Sequence, residues 1–348
     1  MAKYLPKHAD ELKRTAKGMV ADGKGILAMD ESNATCCKRF EKTGIECTEE
    51  TRRQYRELLI ATSGLEEFVA GPILFDETIR QSTKDGKPFV KALQEKGMIP
   101  GIKVDTGAKP LAGSPSEKVT EGLDGLRERT AEYYEMGARF AKWRAVITIG
   151  EGMPTRQCIE ANAHALARYA ALCQENGLVP IVEPEVLMDG DHSIEQCEAV
   201  TEETWVELFE QLYRHNVMLE GTILKASMVI SGKEAKKRAG VDEVAERTVQ
   251  TLLRAVPPAL AGVVFLSGGQ GNEEATQHLN AMNKHYRGRA PWPLSFSYAR
   301  ALQQPALELW KGDPGKAEAA QKALYFRARL NSLATLGQYS EEMEKEAA

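Results

Sequence analysis

Short apolar runs alternate along this chain with longer stretches in which apolar positions return every three or four residues, and the alternation persists from end to end. The short runs, at 25–30, 72–75, 99–104, 140–146, 179–186, 222–228, 262–266 and 294–298, predict eight strands. The amphipathic stretches predict helices at 51–63, 79–96, 122–136, 155–175, 201–216, 241–255, 273–285 and 298–311. One more helix is expected before the first strand, at 8–20, and another after the last unit, at 315–336. Eight strand–helix units in a single run predict an α/β fold, a (β/α)8 TIM barrel with an extra N-terminal helix and a C-terminal helix. An open doubly wound sheet is the alternative, but the first strand leads into Glu31-Ser32-Asn33-Ala34-Thr35 and not into a glycine-rich dinucleotide loop. The expectation is one catalytic domain over residues 1–338 and a flexible, charged C-terminal tail over 339–348.

Composition narrows what such a barrel can do. With 348 residues and 43% hydrophobic positions a large core is available, and a net charge of −5 gives no general attraction to nucleic acid or to anionic membranes. No apolar run approaches the ~18 residues of a membrane span. The six cysteines, Cys36, Cys37, Cys47, Cys158, Cys173 and Cys197, include no C-x-x-C pair and are expected to be reduced. The first residues lack an apolar core and carry acids early, so cytoplasmic placement is expected, or a plastid for a chain whose transit peptide has been removed.

Three of the strand-like runs are interrupted by a lysine: Lys103, Lys142 and Lys225. A buried ammonium is costly unless it is paired or loses its proton, and a neutral amine is a carbonyl nucleophile. In a TIM barrel catalytic groups project from the carboxyl ends of the strands, where Asp30, Lys103, Asp105, Lys142, Arg144, Glu183, Glu185 and Lys225 all fall. Strand alternation puts Lys142 with Arg144 on one face, and Glu183 with Glu185 on one face. For any single lysine, a stem in the barrel wall with its ammonium at the rim is an equal alternative; three lysines with acids in one mouth favour carbonyl chemistry.

The run ending at Leu266 continues Ser267-Gly268-Gly269 into a helix, and the last strand leads to Arg300. Glycines let the backbone approach a phosphate, helix N–H groups receive its charge, and an arginine grips it bidentately. Ser32, Lys38 and Arg39, after the first strand, form a second cationic group; ordinary helix-surface charge is the plain alternative there. Two anion sites around a lysine nest suggest a bisphosphorylated ketose. The six histidines show neither H-x-H nor H-E-x-x-H spacing, so neither a metal site nor any other cofactor is expected.

At these residues the chain resembles the class I, Schiff-base fructose-1,6-bisphosphate aldolases, in their plastid and bacterial branch, from about residue 10 to residue 338. The resemblance is carried by Gly-Lys-Gly-Ile-Leu-Ala-Met-Asp-Glu-Ser at 23–32, Pro-Gly-Ile-Lys-Val-Asp at 100–105, Gly-Ala-Arg-Phe-Ala-Lys-Trp-Arg at 137–144 and Gly-Leu-Val-Pro-Ile-Val-Glu-Pro-Glu at 177–185. It continues through Lys225, Phe-Leu-Ser-Gly-Gly-Gln at 265–270 and Phe-Ser-Tyr-Ala-Arg-Ala-Leu-Gln at 296–303. The resemblance implies that Lys225 forms the Schiff base, that Glu183 is the main acid and base, and that Lys142 assists dehydration. Asp30 would orient the reacting hydroxyls and Glu185 would support Lys225. It also implies that Lys103 and Arg144 contact substrate, that Ser267, Gly268, Gly269 and Arg300 hold the ketone-side phosphate, and that Ser32, Lys38 and Arg39 lie near the other. A homotetramer acting on small sugar phosphates is implied as well. The chain departs from many relatives at Thr106 (lysine elsewhere), at Ala226 (proline elsewhere) and in a tail reading Glu-Ala-Ala, where animal members carry a tyrosine that helps protonate the enamine.

A free lysine is neutral roughly once in 2,500 molecules at pH 7, a handicap of about 4.6 kcal/mol that burial and a neighbouring cation can largely remove. A Schiff-base lyase for a monophosphorylated sugar is the nearest enzymatic alternative. A scaffold or filament-binding role of the same fold is the alternative of another class.

Overall fold

In a computed structural model, which describes residues 5–347, eight parallel strands close into a barrel. Residues 1–4, part of the N-terminal stretch considered above, and Ala348 of the tail lie outside the described residues. In chain order the strands are β1 (Gly25–Ala28), β2 (Val69–Leu74), β3 (Gly101–Lys103), β4 (Gly107–Leu111), β5 (Ser114–Glu121), β6 (Phe140–Ile147), β7 (Val179–Val186), β8 (Ile223–Ala226), β9 (Gly262–Phe265) and β10 (Leu294–Tyr298). The barrel runs β1-β10-β9-β8-β7-β6-β3-β2 and back to β1, while β4 and β5 form a separate antiparallel hairpin.

All eight barrel strands fall on predicted runs, two of them, β7 and β10, with the expected ends. Both faces of each are buried, which is why they read as continuous apolar runs. Alternation sorts their side chains into two cores. Ile26, Ala28, Ile73, Phe140, Val179, Ile181, Ile223 and Val264 pack together inside the barrel, above Leu12, Ala16 and Met19 of the helix Ala9–Met19, which plugs its floor. Their outward neighbours, among them Leu27, Ala141, Val182, Leu224 and Val263, pack against the surrounding helices. Gly101 is required here, because a Cβ at that position would collide with the Phe140 ring.

The helices end where capping chemistry ends them. Ser193 and Gln196 form a capping box at the start of Ile194–Arg214, and Thr48 with Thr51 does the same for Glu49–Ala61. The helix predicted at 79–96 is broken into Asp76–Ile79 and Phe89–Glu95, since Gly86, at φ +81°, and Pro88 cannot continue a helical turn. Asn33–Thr43, absent from the predicted helices, forms behind Ser32, whose side chain accepts the Thr35 N–H.

The β4–β5 hairpin was not anticipated. It carries little apolar periodicity and is held by side chains instead: buried Glu117 accepts from the Thr155 N–H at 2.8 Å, and Asn162 donates to the Lys118 carbonyl at 2.8 Å. One other expectation is revised. Cys37 and Cys47 are joined in a disulfide, because Gly44, in the left-handed conformation, ends the helix Asn33–Thr43 and turns the chain so that the two Cα atoms lie 5.2 Å apart. The other four cysteines are free and buried. In the C-terminal tail, Glu341–Ala347 form a 3-10 segment in which Glu344 meets Arg327 at 2.6 Å and accepts from the Tyr339 hydroxyl at 3.0 Å. A cation buried on the helix Ala317–Thr335 gives those acids a reason to dock. Among the described residues no helix is long and apolar enough to cross a membrane.

Candidate active site

The interior face of the barrel changes character along its axis. On β7, Val179 and Ile181 belong to the apolar floor, and the next residues on that face are Glu183 and Glu185. On β6 the series is Phe140, Lys142, Arg144; on β8 it is Ile223, Lys225; on β1 it is Ile26 and Ala28, then Asp30 just beyond the strand. The charged residues therefore gather at the carboxyl end, around a cleft of about 1240 Å³.

Register places the partners. Val182 pairs with Leu224, so that Glu183 and Lys225, the next residues, stand side by side; Arg144 is registered with Glu183, and Lys103 with Lys142. Lys142 Nζ lies 2.7 Å from Asp30 Oδ2 and 3.2 Å from Glu183 Oε2, and Lys225 Nζ lies 3.1 Å from Glu183 Oε1. These four residues are buried. Burial alone would push the Asp30 and Glu183 carboxyls up, but the Lys142 and Lys225 charges beside them prevail and hold both below the usual carboxylate range. The converse holds for Lys142: burial would push it down, and Asp30 and Glu183 raise it above an ordinary lysine. Lys142 is thus a fixed positive charge at neutral pH.

Glu185 is paired with Arg144 through Oε2 and Nε, so the acid in contact with Lys225 is Glu183, one step deeper on the same face. Lys103 Nζ is held 2.7 Å from Asp105 Oδ1, and the Asp105 carboxylate also accepts the backbone N–H groups of Arg144 and Gly107, both at 3.2 Å. Asp105 shares its strand face with Lys103, as expected of two residues that close one strand.

Ser267, Gly268 and Arg300 line one side of the cleft. Gly269 does not; it turns away at φ +84°, where a Cβ would meet Met188 and the Lys233 side chain. Buried Ser297, not singled out from the sequence, lines the same wall, with a hydroxyl that has no hydrogen-bond partner. Ser32, Lys38 and Arg39, which follow the neighbouring strand β1, also line the cleft. Arg39 is bound to buried Glu31, which also holds Arg56 at 2.7 Å and accepts from Gln303 at 3.0 Å. Burial would raise Glu31, and Arg56 and Arg39 bring it down. Nothing in the local pattern marks Glu31 as this junction, because its partners come from three separate helices. Among the described residues no three His, Cys, Asp or Glu side chains converge as a metal centre requires.

Residues 11–348 match the family model for fructose-bisphosphate aldolase class-I. The chain belongs to that family. A probable fructose-bisphosphate aldolase class 1 of Xanthomonas campestris pv. campestris is 63% identical over 95% of this chain and 98% of its own length. A chloroplastic fructose-bisphosphate aldolase of Arabidopsis thaliana is 54% identical over 98% of this chain and 86% of its own. In three dimensions this aldolase resembles the fructose-bisphosphate aldolase of Plasmodium falciparum, solved with TRAP and a small-molecule inhibitor, at a TM-score of 0.95 and 50% identity, covering 97% of this chain and 98% of that one. The enzyme is a carbon–carbon lyase of the class that works through a Schiff base.

Proposed function

We propose that Lys225 is the nucleophile of this class I aldolase and that Glu183 is its acid and base, acting on D-fructose 1,6-bisphosphate. The observation that carries this is the placement of one carboxylate between two lysines at the carboxyl end of the barrel. The Lys225 ammonium gives one proton to the neighbouring Glu183 carboxylate, the freed amine attacks the C2 carbonyl carbon, and a second nitrogen proton passes to the carbonyl oxygen to complete the carbinolamine. Returning the first proton from Glu183 to the carbinolamine hydroxyl expels water and leaves the last N–H on the iminium, with the Lys142 charge stabilising the oxygen as it leaves. The resulting iminium draws electrons from the C3–C4 bond while Glu183 takes the C4 hydroxyl proton. D-Glyceraldehyde 3-phosphate departs and leaves an enamine. Protonation at C3 and hydrolysis then release dihydroxyacetone phosphate and restore the amine, and every step is reversible.

Asp30, fixed by Lys142, orients the hydroxyls being cleaved. Glu185 aligns Arg144 and supports proton transfer at the mouth, while Lys103 and Arg144 contact substrate. Ser267, Gly268 and Arg300 receive the ketone-side phosphate, with Gly269 shaping the turn behind them; Ser32, Lys38 and Arg39 receive the other. The unpartnered Ser297 hydroxyl supports a polar contact inside the cleft.

Supplying dihydroxyacetone phosphate with borohydride and mapping the modified peptide tests the assignment: the label is expected on Lys225, and a label elsewhere rejects it. We further read the enzyme as a cytoplasmic homotetramer. Exposed Val206, Tyr213 and Leu253 on the helices Ile194–Arg214 and Val241–Ala255 support an oligomeric face, and light scattering checks it. Relatives from a bacterium and from a chloroplast leave the compartment to be read by fractionating the source cell.

A further inference from the structure

We propose that Cys37 and Cys47 form a reversible thiol–disulfide site that controls the affinity of the cleft for the phosphate far from the Schiff-base carbon. The inference rests on the reading of Ser32, Lys38 and Arg39 as that phosphate's ligands.

Three observations carry it. Cys37 stands immediately before Lys38 and Arg39 on the helix Asn33–Thr43, so the bond grips the element that presents both cations. Cys47 lies next to Thr48, the N-cap of Glu49–Ala61, so the bond fastens the first helix to the second. Arg39 from the first helix and Arg56 from the second converge on the same buried carboxylate, Glu31, so any slip between the helices moves Arg39. Both sulfurs belong to half-buried residues, whereas Cys36, Cys158, Cys173 and Cys197 are buried. Solvent reagents therefore meet this pair first.

The chemistry is a two-electron exchange with a dithiol. A dithiol thiolate attacks Cys37 Sγ, the Cys37–Cys47 bond breaks, and the Cys47 thiolate leaves beside the Arg52 guanidinium, whose Nη1 lies 3.7 Å from that sulfur. The second thiol of the reagent displaces Cys37 from the mixed disulfide. Two protons pass to the cysteines, the protein is reduced, and the dithiol becomes a cyclic disulfide. A disulfide oxidant reverses the sequence. With the bond closed, the connection through Gly44 is held and the phosphate ligands are preorganised. With it open, they must be ordered at the moment of binding. Lys225, Lys142 and Glu183 sit on strands that the bond does not touch, so KM responds and kcat does not.

The test uses the full enzyme, air-oxidised or treated with dithiothreitol. Denatured protein titrated with a chromogenic disulfide should show four thiols before reduction and six after it. The KM for fructose 1,6-bisphosphate should rise at least threefold on reduction, with kcat unchanged within twofold. Cys37→Ser and Cys47→Ser should each show the raised KM with or without dithiothreitol. Six thiols under air, an unchanged KM across a demonstrated gain of two thiols, or serine variants that still respond to the dithiol would each overturn the proposal. Borohydride labelling of Lys225 in both states separates the readings: its loss overturns the site assignment and this inference together, while intact labelling with an indifferent KM overturns this inference alone.

Discussion

Lys225 and Lys142 divide a single carboxylate between them, with Glu183 Oε1 3.1 Å from the first ammonium nitrogen and Oε2 3.2 Å from the second. Oε2 accepts no aligned hydrogen bond. It is held in place by charge, and remains able to take a proton. In the mechanism proposed above, a carboxylate shared in this way takes a proton from Lys225 and itself returns it to the leaving hydroxyl a moment later.

Glu183→Gln keeps the shape and removes both the charge and the base. The expected result is a fall in kcat of about 10²- to 10⁴-fold, typical of losing a general acid–base group, with a smaller change in KM. Steady-state cleavage assays, together with single-turnover borohydride trapping, would show whether iminium formation slows as well. A variant with near-normal kcat would transfer the role to Glu185 or Asp30.

Arg300 opens the helix Arg300–Trp310 at the cleft wall and is exposed to an incoming anion. Arg300→Ala should raise the KM for fructose 1,6-bisphosphate by about tenfold or more, since a charge-assisted hydrogen bond contributes roughly 1.5–3 kcal/mol. Comparing the substrate with its singly phosphorylated analogues identifies which phosphate the arginine serves.

His278 is buried against Gln270, in the loop that carries Ser267 and Gly268, and its Nδ1 lies 2.7 Å from the Gln270 side-chain oxygen. Burial is the largest influence on it, opposed by Glu274 and assisted by Arg238, and the ring is pushed from 6.5 down to about 4. The unfolded chain therefore binds more protons between those two values, so stability is complete above pH 6.5 and drains away as the pH falls toward 4. The single group accounts for about 3 kcal/mol across that window. Thermal or urea unfolding of the wild type and His278→Asn at several pH values should show the wild type losing ground to the variant only below pH 6.5. A constant difference at every pH would contradict this.

Arg327 is buried and receives its main neutralising charge from Glu344 in the C-terminal 3-10 segment. Glu344→Gln leaves that guanidinium with the Asn272 carbonyl and the Thr276 hydroxyl, at 3.1 and 2.7 Å, as partners. Because these bonds survive, the expected loss is about 1–3 kcal/mol, less than for a buried charge left with no partner. Denaturant midpoints would measure it, and no change would show that the segment does not stay docked in solution.

Much of this molecule is legible in the order of its residues. The barrel follows from apolar runs that bury both faces, and the position of the charged mouth follows from strand alternation: Val179 and Ile181 must share a face with Glu183 and Glu185 wherever β7 is placed. Both features are local, set by residues within a few positions of one another. Which acid touches which lysine is not local. Lys225 meets Glu183 and not Glu185 because β7 and β8 align Val182 with Leu224, and that alignment exists only once eight strands have closed. The junction at Glu31 and the hairpin pinned by Glu117 and Asn162 have the same origin. Each depends on chain direction and on partners that packing alone brings together, so no periodicity along the chain could announce it.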